Sequence, residues 1–510
     1  MPEKIRIVLI LLLAASLLAG CAAAPEAAPP QAPPRIDPAP PGDAARQRAA
    51  EQIELTAVDE VRCSGAQPGP KEKPVDLGAL SGSYRITEAG IYRLSGSLRE
   101  GQIVVDAPKS AKVKLILDGA EIRMSGHAAI YAVSADKLVV CSAADSSSVL
   151  SSSGAFVQTD GNKVDAAIFA KCDLTFNGEG AIGLFCDSGH GAVSKDDLKI
   201  GSGTVSVNAD GHGLAGKDGL TVDGGDLSVC CGGDALHTDG DAAFNGGTLL
   251  LSSGDDAVHA EGSLTVNGGT LTVCQSHEGM EAHQITINGG EIRITASEDG
   301  LNASGGSGSS ASKDPRRDDP FQTDGEALLA IHGGMLIVNA DGDGLDSNGV
   351  ILVTGGTVYV SGPTSGGDGA IDCGIRAQIS GGVVIAAGSA GMAEGFGGDS
   401  TQGSVLVNVG DQQAGTLIEI LDENGVLLAS YSPEKSYQTV VASAPGMVSG
   451  GSYTLKAGSF AKTLTLDGIV YSEGAGFGPP GAPGGPGGPS GPGGPGGPGG
   501  PGGPGAPGGR

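Results

Sequence analysis

Acidic, basic and histidine side chains recur between residues 166 and 348 at a near-constant spacing of about 22 residues. Three series share a place in the repeat, the second lying three residues and the third five residues after the first. The first is His190, His212, Asp234, Asp256, Glu278, Asp299 and Asp343; the second is His237, His259, Glu281, Asn302 and Asp346; the third is Lys171, Lys195, Lys217, Asp239, Glu261, His283, Ser304 and Asn348. If successive repeats stack, each series becomes a line of neighbouring side chains.

Carboxylates in such a line require a counter-charge. Adjacent like charges about 4.8 Å apart repel by about 1–3 kcal/mol at effective dielectric constants between 80 and 20. A hard divalent cation bound by carboxylate and carbonyl oxygens would neutralise them. We therefore expect calcium on this edge, with candidate ligands Asp234, Asp255, Asp256, Glu278, Glu281, Asp299, Asp343 and Asp346.

Two other interpretations of these residues stay open. Asp before Gly is favourable in turns, where its side chain accepts hydrogen bonds from backbone N–H groups; this explains Asp299 and Asp343 but explains Glu278 poorly. Zinc binding by His237 and His259 is the second alternative, although imidazoles on turns are commonly surface polar groups; the same two residues are candidates for carbohydrate contact.

The lysines of the third series allow one catalytic hypothesis. Lys195 or Lys217 beside a calcium ion could remove the proton α to a uronate carboxyl group, because the cations together stabilise the developing negative charge. The alternative is that both lysines only compensate nearby acids, and no arginine accompanies them to complete such a site.

The repeat itself predicts the fold. Gly-Gly pairs fall at 224–225, 246–247, 268–269, 289–290, 333–334, 355–356 and 381–382, each after a short alternating apolar segment. A fixed period in this range indicates a solenoid, and the alternation indicates strands. We predict an all-β, right-handed parallel β-helix of about 22 residues per rung, with a small C-terminal antiparallel β cap over its open end.

The composition divides the chain into segments. Residues 1–20 read as a signal peptide whose Leu-Ala-Gly-Cys ending predicts lipidation of Cys21; residues 21–75 form an Ala/Pro-rich linker. The β-helix is predicted over 76–402 with a loop insertion at 304–324, the cap over 403–473, and a disordered Gly/Pro tail over 474–510. A lipid-anchored, monomeric protein outside the cytoplasm and exposed at the cell surface is expected.

The net charge of −28 argues against nucleic acid and anionic membranes as direct partners, and it is consistent with cation binding. The chain contains no Trp, so the flat aromatic rows that stack on sugars in many binding surfaces are not available from that residue. Any polysaccharide contact should therefore be mainly polar or bridged by metal.

The phrases AIYAVSADKLVV, SKDDLKI, GDDAVHAEGSLTVNGGTLTV, NADGDGLDSNG and VYVSGPTSGGDGAIDC carry a family resemblance. Over roughly residues 80–470 the chain resembles bacterial cell-surface, calcium-binding carbohydrate-binding proteins with a right-handed parallel β-helix of the pectate-lyase type. The resemblance implies binding of cellulose-like or acidic plant polysaccharides rather than their cleavage. The favoured hypothesis is a non-catalytic, calcium-dependent polysaccharide-binding lipoprotein; the alternatives are a polysaccharide lyase and a structural envelope protein.

Overall fold

The computed structural model describes residues 71–304 and 323–473. The predicted signal peptide, Cys21, the predicted tail and nearly all of the predicted linker and insertion lie outside these residues. In the part that is described, no helix is long and apolar enough to cross a membrane.

Short β-strands account for almost all of the regular structure, together with one 3₁₀ turn at Leu77–Ala79. The strands are β1 (Glu72–Asp76), β2 (Tyr84–Ile86), β3 (Gly90–Arg99), β4 (Ile103–Asp106), β5 (Lys112–Ser125), β6 (Ile130–Ser134), β7 (Lys137–Ser142), β8 (Ser147–Ser153), β9 (Ala166–Ala170), β10 (Asp173–Gly178), β11 (Ala181–Cys186), β12 (His190–Ser194), β13 (Asp197–Ile200), β14 (Thr204–Ala209), β15 (Leu214–Gly216), β16 (Gly219–Val222), β17 (Asp226–Cys231), β18 (Leu236–Thr238), β19 (Asp241–Phe244), β20 (Thr248–Ser252), β21 (Val258–Val266), β22 (Thr270–Gln275), β23 (Met280–Ile287), β24 (Glu291–Ala296), β25 (Leu301–Ala303), β26 (Leu328–Ile331), β27 (Met335–Ala340), β28 (Leu345–Ser347), β29 (Val350–Val353), β30 (Thr357–Ser361), β31 (Ile371–Cys373), β32 (Arg376–Ile379), β33 (Val383–Gly388), β34 (Ser404–Gln412), β35 (Ile418–Leu421), β36 (Leu427–Tyr431), β37 (Tyr437–Ser443), β38 (Ser452–Ala457), β39 (Phe460–Thr465) and β40 (Val470–Ser472).

Strands β1 to β33 stack in three parallel sheets that run along the axis of a solenoid. We call the sheet that carries the candidate site the ladder face; it comprises β2, β4, β6, β9, β12, β15, β18, β21, β23, β25, β28 and β31. Long strands such as β5 and β21 pair in two sheets and so continue around a corner. The predicted parallel β-helix is confirmed.

The register on the ladder face follows the period read from the sequence. Leu214 pairs with Leu236, Leu236 with Val258 and Val258 with Met280, each 22 residues further along the chain. These side chains are all almost fully buried, and the residue between two buried neighbours on each strand points outward. Inward positions thus build a continuous apolar core, and outward positions build a line on the surface.

The Gly-Gly turns fix the corners of the solenoid. The second glycine of each pair from 224–225 to 381–382 has φ between +82° and +97°, a region that side-chain-bearing residues rarely adopt. At Gly269 an added Cβ would also lie 2.7 Å from the carbonyl oxygen of Gly247 in the preceding rung. The recurring pair therefore reflects both the turn conformation and the close approach of neighbouring rungs.

We expect Gly269→Ala to lower the midpoint of denaturant unfolding markedly, while Gly268→Ala in the same turn changes it little. The first substitution adds about 1–2 kcal/mol of left-handed backbone strain and a clash with Gly247. At Gly268, φ is not positive and the nearest atom to an added Cβ is 3.4 Å away. Equal midpoints for the two variants would contradict this explanation of the repeat.

An antiparallel unit follows the solenoid, as predicted. Strand β37 pairs antiparallel with both β33 and β34, and β35, β36, β38 and β39 form a separate four-stranded antiparallel sheet. A second apolar core joins the two parts, in which Ile385 and Val407 are buried with Ile418 and Leu455. The solenoid strand β33 is thereby paired with β37 and does not leave an exposed edge.

Candidate functional site

The outward position on the ladder face changes chemical character along the solenoid. Paired residue by residue, this line reads Tyr131, Phe169, Val193, Ala215, His237, His259, Glu281, Asn302, Asp346 and Asp372. It begins aromatic and apolar, becomes imidazole and ends in carboxylates. The second predicted series is therefore a real column of stacked side chains.

The first series forms a second column beside it, in which side chains bond the backbone of the next rung. Oδ1 of Asp234 accepts the Asp256 N–H at 3.1 Å, and Oδ1 of Asp256 accepts the Glu278 N–H at 3.2 Å. Asp299 accepts the Asp343 N–H at 2.7 Å in the same way. The turn role that explains Asp299 thus extends to Asp234 and Asp256, and it occupies one oxygen of each carboxylate.

Histidine rings stack through the middle of the ladder face. Ring centroids are separated by 4.8 Å between His190 and His212, by 4.6 Å between His212 and His237, and by 5.1 Å between His237 and His259. Asp234 lies against this stack, with its side chain 6% exposed. Its Oδ2 is 2.8 Å from Nδ1 of His237 and 3.2 Å from Nδ1 of His212.

The acids in this half are compensated by the histidines. Burial alone would raise the pKa of Asp234, but the adjacent imidazoles of His212 and His237, the latter hydrogen-bonded to its carboxylate, outweigh it and hold the pKa well below its usual range. Hydrogen bonds to Asp256 and Glu281 raise the pKa of His259 to about 11, so without a metal ion the imidazole shares a proton with these two carboxylates at neutral pH. Negative charge here is balanced within the protein.

The negative charges of Asp343, Asp346 and Asp372, in contrast, are not balanced by a neighbouring described cation. Oxygen atoms of the three carboxylates lie within 4.8 Å of one another. Burial, reinforced by neighbouring carboxylates, raises the pKa of Asp343 to about 8 and that of Asp346 to about 9; burial also raises the pKa of Asp372. Over residues 71–304 and 323–473, no lysine, arginine or histidine forms an ion pair with this carboxylate cluster.

The residues around the carboxylate cluster fit a hard cation. Asn302, which pairs with Asp346 in the ladder, donates its amide to both oxygens of Glu278, whereas its Oδ1 is buried without a hydrogen-bond partner. Burial raises the pKa of Asp299 to about 6 and that of Glu278 to about 8. Closely spaced carboxylates and an unpartnered amide oxygen are the oxygen donors that calcium takes.

The candidate lysines lie far from this cluster. Nζ of Lys195 is 5.4 Å from the ring centroid of Phe169, and Nζ of Lys217 is 3.1 Å from Asp218. Lys195 follows β12, which is six pairing steps from β28 and Asp346; Lys217 follows β15, five steps away. At about 4.8 Å per step these separations are about 29 and 24 Å, too far for either lysine to act beside that cluster.

Several members of the site were missed from the sequence. Asp372 lies 26 residues after Asp346 rather than 22, because the turn before β31 is longer, but the buried–outward–buried pattern of Ile371–Cys373 matches that of Leu345–Ser347. His277 was also missed; it lies with Asp255 and Asp256 in a mixed group whose donor atoms are within 4.8 Å of one another. Asp255 is exposed, unlike the carboxylates of the two columns.

Part of the chain is similar to a family of known proteins. Residues 81–311 match the model of a family described as carbohydrate-binding domain-containing protein. A protein of that description from Acetivibrio thermocellus is 34% identical over 127 residues, which are 24% of this chain and 44% of the relative, so the match spans less than half of the relative's length. The predicted resemblance to carbohydrate-binding domain-containing proteins is confirmed by these matches.

A solved structure is also similar to part of the chain. It is described as a polysaccharide lyase-like protein from C. thermocellum, studied as a gadolinium derivative. The alignment covers 45% of this chain and 95% of that one, with 26% identity and a TM-score of 0.39.

Proposed function

Because residues 81–311 match a carbohydrate-binding family, we propose that this protein is a calcium-dependent, non-catalytic polysaccharide-binding protein. The observation that carries the calcium dependence is the carboxylate cluster of Asp343, Asp346 and Asp372 on the ladder face, which forms no ion pair with another described residue. Three close carboxylates with raised pKa values favour a bound divalent cation over three separate negative charges.

Carboxylate oxygens of Asp343, Asp346 and Asp372 would hold the calcium ion. The unpartnered Oδ1 of Asn302 and the neighbouring Asp299 would supply further oxygen donors. Calcium takes six to eight oxygen ligands. Positions that the protein does not fill would be open to carboxylate and hydroxyl oxygens of a sugar. This favours an acidic polysaccharide as the ligand, with a cellulose-like glycan as the second candidate.

The position in the cell is part of the proposal. Leu18-Ala19-Gly20-Cys21 after an apolar run supports a lipid anchor on Cys21, and the Ala/Pro-rich residues that follow would hold the solenoid away from the membrane at the cell surface. A monomer suffices for this role, because the candidate ligands all belong to one chain.

Retention on polysaccharide tests the function. We expect the protein to be retained on polygalacturonate in calcium and released by a chelator, and Asp372→Asn to lose most of this retention because it removes one charge from the carboxylate cluster. Asp467→Asn, an exposed carboxylate in the cap, removes the same charge elsewhere and should be retained like the unmodified protein. Retention on cellulose, measured in parallel, identifies the glycan class.

No retention on either glycan, or retention that a chelator leaves unchanged, would overturn the proposal. The same incubations are monitored for the absorbance of unsaturated uronide products. Their accumulation would favour the lyase alternative. No described contact of Lys195 or Lys217 favours that alternative at the carboxylate cluster.

A further inference from the structure

The second candidate site is made of histidine and carboxylate and lies between the histidine stack and the carboxylate cluster. Nδ1 of His259 is 2.6 Å from Oε2 of Glu281 and 3.3 Å from Oδ2 of Asp256. The three donor atoms all lie within 4.8 Å of one another, and each residue is at least partly buried. One nitrogen and two oxygens thus converge on a single point of the ladder face.

One of the two separations from the imidazole nitrogen already matches that between ligands of a single transition-metal ion, and the other is shorter. Zinc binds imidazole nitrogen and carboxylate oxygen at about 2.0–2.2 Å, and tetrahedral geometry then places two ligands about 3.3 Å apart. The Nδ1–Oδ2 distance of 3.3 Å between His259 and Asp256 has this value, and a small shift of Glu281 brings its oxygen to the same distance. The space between these three atoms would therefore accommodate a metal ion in place of the proton that they share.

The outer nitrogen of the ring has a carboxylate nearby, on the side away from Asp256 and Glu281. Nε2 of His259 is 3.7 Å from Oε1 of Glu261 on the same strand. A carboxylate near the far nitrogen favours a proton there, which leaves Nδ1 to bind an ion once an ion displaces the proton that Nδ1 shares with Asp256 and Glu281. On the inner side, Oδ1 of Asp256 is held by the Glu278 N–H, so Oδ2 is the oxygen directed at His259.

The neighbouring group of His212, Asp234 and His237 is less suited to an ion. Nδ1 of His212 accepts the Asp234 N–H at 3.0 Å, so metal binding by His212 would break a backbone hydrogen bond. Nδ1 of His259 accepts no such bond among the described residues, and its contacts are the two carboxylates. This difference selects the group around His259.

We propose that His259, Asp256 and Glu281 form a binding site for an imidazole-preferring divalent ion of the zinc class, distinct from the calcium site around Asp346. Imidazole nitrogen suits zinc, copper and nickel, whereas calcium prefers an all-oxygen shell. The two sites lie three pairing steps apart, from β21 to β28, or about 14 Å. The ladder face would thus bind two ions of different chemical class.

Cobalt(II) titration of the full chain, made without a polyhistidine tag and freed of metal, tests this site by the visible absorption of the bound ion. We expect one tight equivalent that zinc displaces and excess calcium does not. His259→Gln should weaken cobalt binding at least tenfold, whereas His332→Gln, at an exposed histidine bonded to Thr354, should bind like the unmodified protein.

Asp346→Asn separates this inference from the calcium proposal, because it should lose the calcium response and keep the cobalt signal. A circular dichroism spectrum and an unfolding midpoint of His259→Gln in chelator like those of the unmodified protein show that this variant is folded. Undiminished cobalt binding by His259→Gln, or no binding by the unmodified protein below millimolar cobalt, overturns the zinc-class site whatever the outcome with calcium.

Discussion

In calcium-free buffer at pH 7.5, Asp346→Asn is expected to be more stable than the unmodified protein, and calcium is expected to stabilise only the unmodified protein. The substitution removes a carboxylate whose pKa is raised to about 9 by burial and by the neighbouring acids Asp299 and Asp343. Without metal, the buried carboxylate of Asp346 lowers the free energy of unfolding. With calcium bound, it is a ligand that raises it. Calcium at one hundred times its dissociation constant adds about 2.7 kcal/mol to the free energy of unfolding.

Asp234→Asn is the matched control, since the same chemical change is made in a carboxylate that already has partners. The carboxylate of Asp234 is hydrogen-bonded to His237 and lies 3.2 Å from Nδ1 of His212, and loss of its charge should lower the stability by about 1–3 kcal/mol while the response to calcium persists. Denaturant unfolding followed by circular dichroism, with calcium or with chelator, measures the six midpoints of the unmodified protein and the two variants. A calcium response in Asp346→Asn as large as in the unmodified protein would count against the carboxylate cluster as the calcium site.

In chelator, the stability of the protein is expected to fall as the pH rises from about 4 to about 9. An unfolded aspartate has a pKa near 3.9, whereas folding raises the pKa of Asp343 to about 8 and that of Asp346 to about 9. Between these values the folded state holds more protons than the unfolded state, so the free energy of unfolding decreases with pH. Unfolding midpoints measured at intervals across this range check the slope.

Calcium should flatten this pH dependence above pH 6, because the ion takes the place of the protons that the cluster binds in its absence. A variant carrying both Asp343→Asn and Asp346→Asn should show a shallower slope in chelator and no effect of calcium. Stability that rises between pH 5 and 9 in chelator would mean that these carboxylates are compensated in solution.

The repeat in the sequence was sufficient to predict the ladder. The 22-residue spacing reports the length of one rung, and the parallel pairing of Leu214, Leu236 and Val258 follows from it directly. The Gly-Gly turns were equally informative, because a positive φ and the approach of neighbouring rungs both require glycine at Gly269. In a solenoid each rung contacts only the rungs before and after it in the sequence, so the sequence period alone predicts which residues are neighbours in space.

The division of the ladder into two kinds of site was not predictable from the spacing. Eight acids were treated as one set of calcium ligands, yet Asp234 and Asp256 are held by histidines whereas Asp343 and Asp346 have no such partner among the described residues. That difference depends on how rings from two adjacent columns come to stack, which a one-dimensional period does not contain. Asp372 was missed because a longer turn interrupts the period just before it.

A crystal structure of the calcium-loaded protein tests the central claim most directly. The account predicts an ion with oxygen atoms of Asp343, Asp346 and Asp372 at about 2.3–2.6 Å, and with Oδ1 of Asn302 turned toward it. Strong density for calcium at another place on the chain, with these three side chains free of metal, would contradict the account.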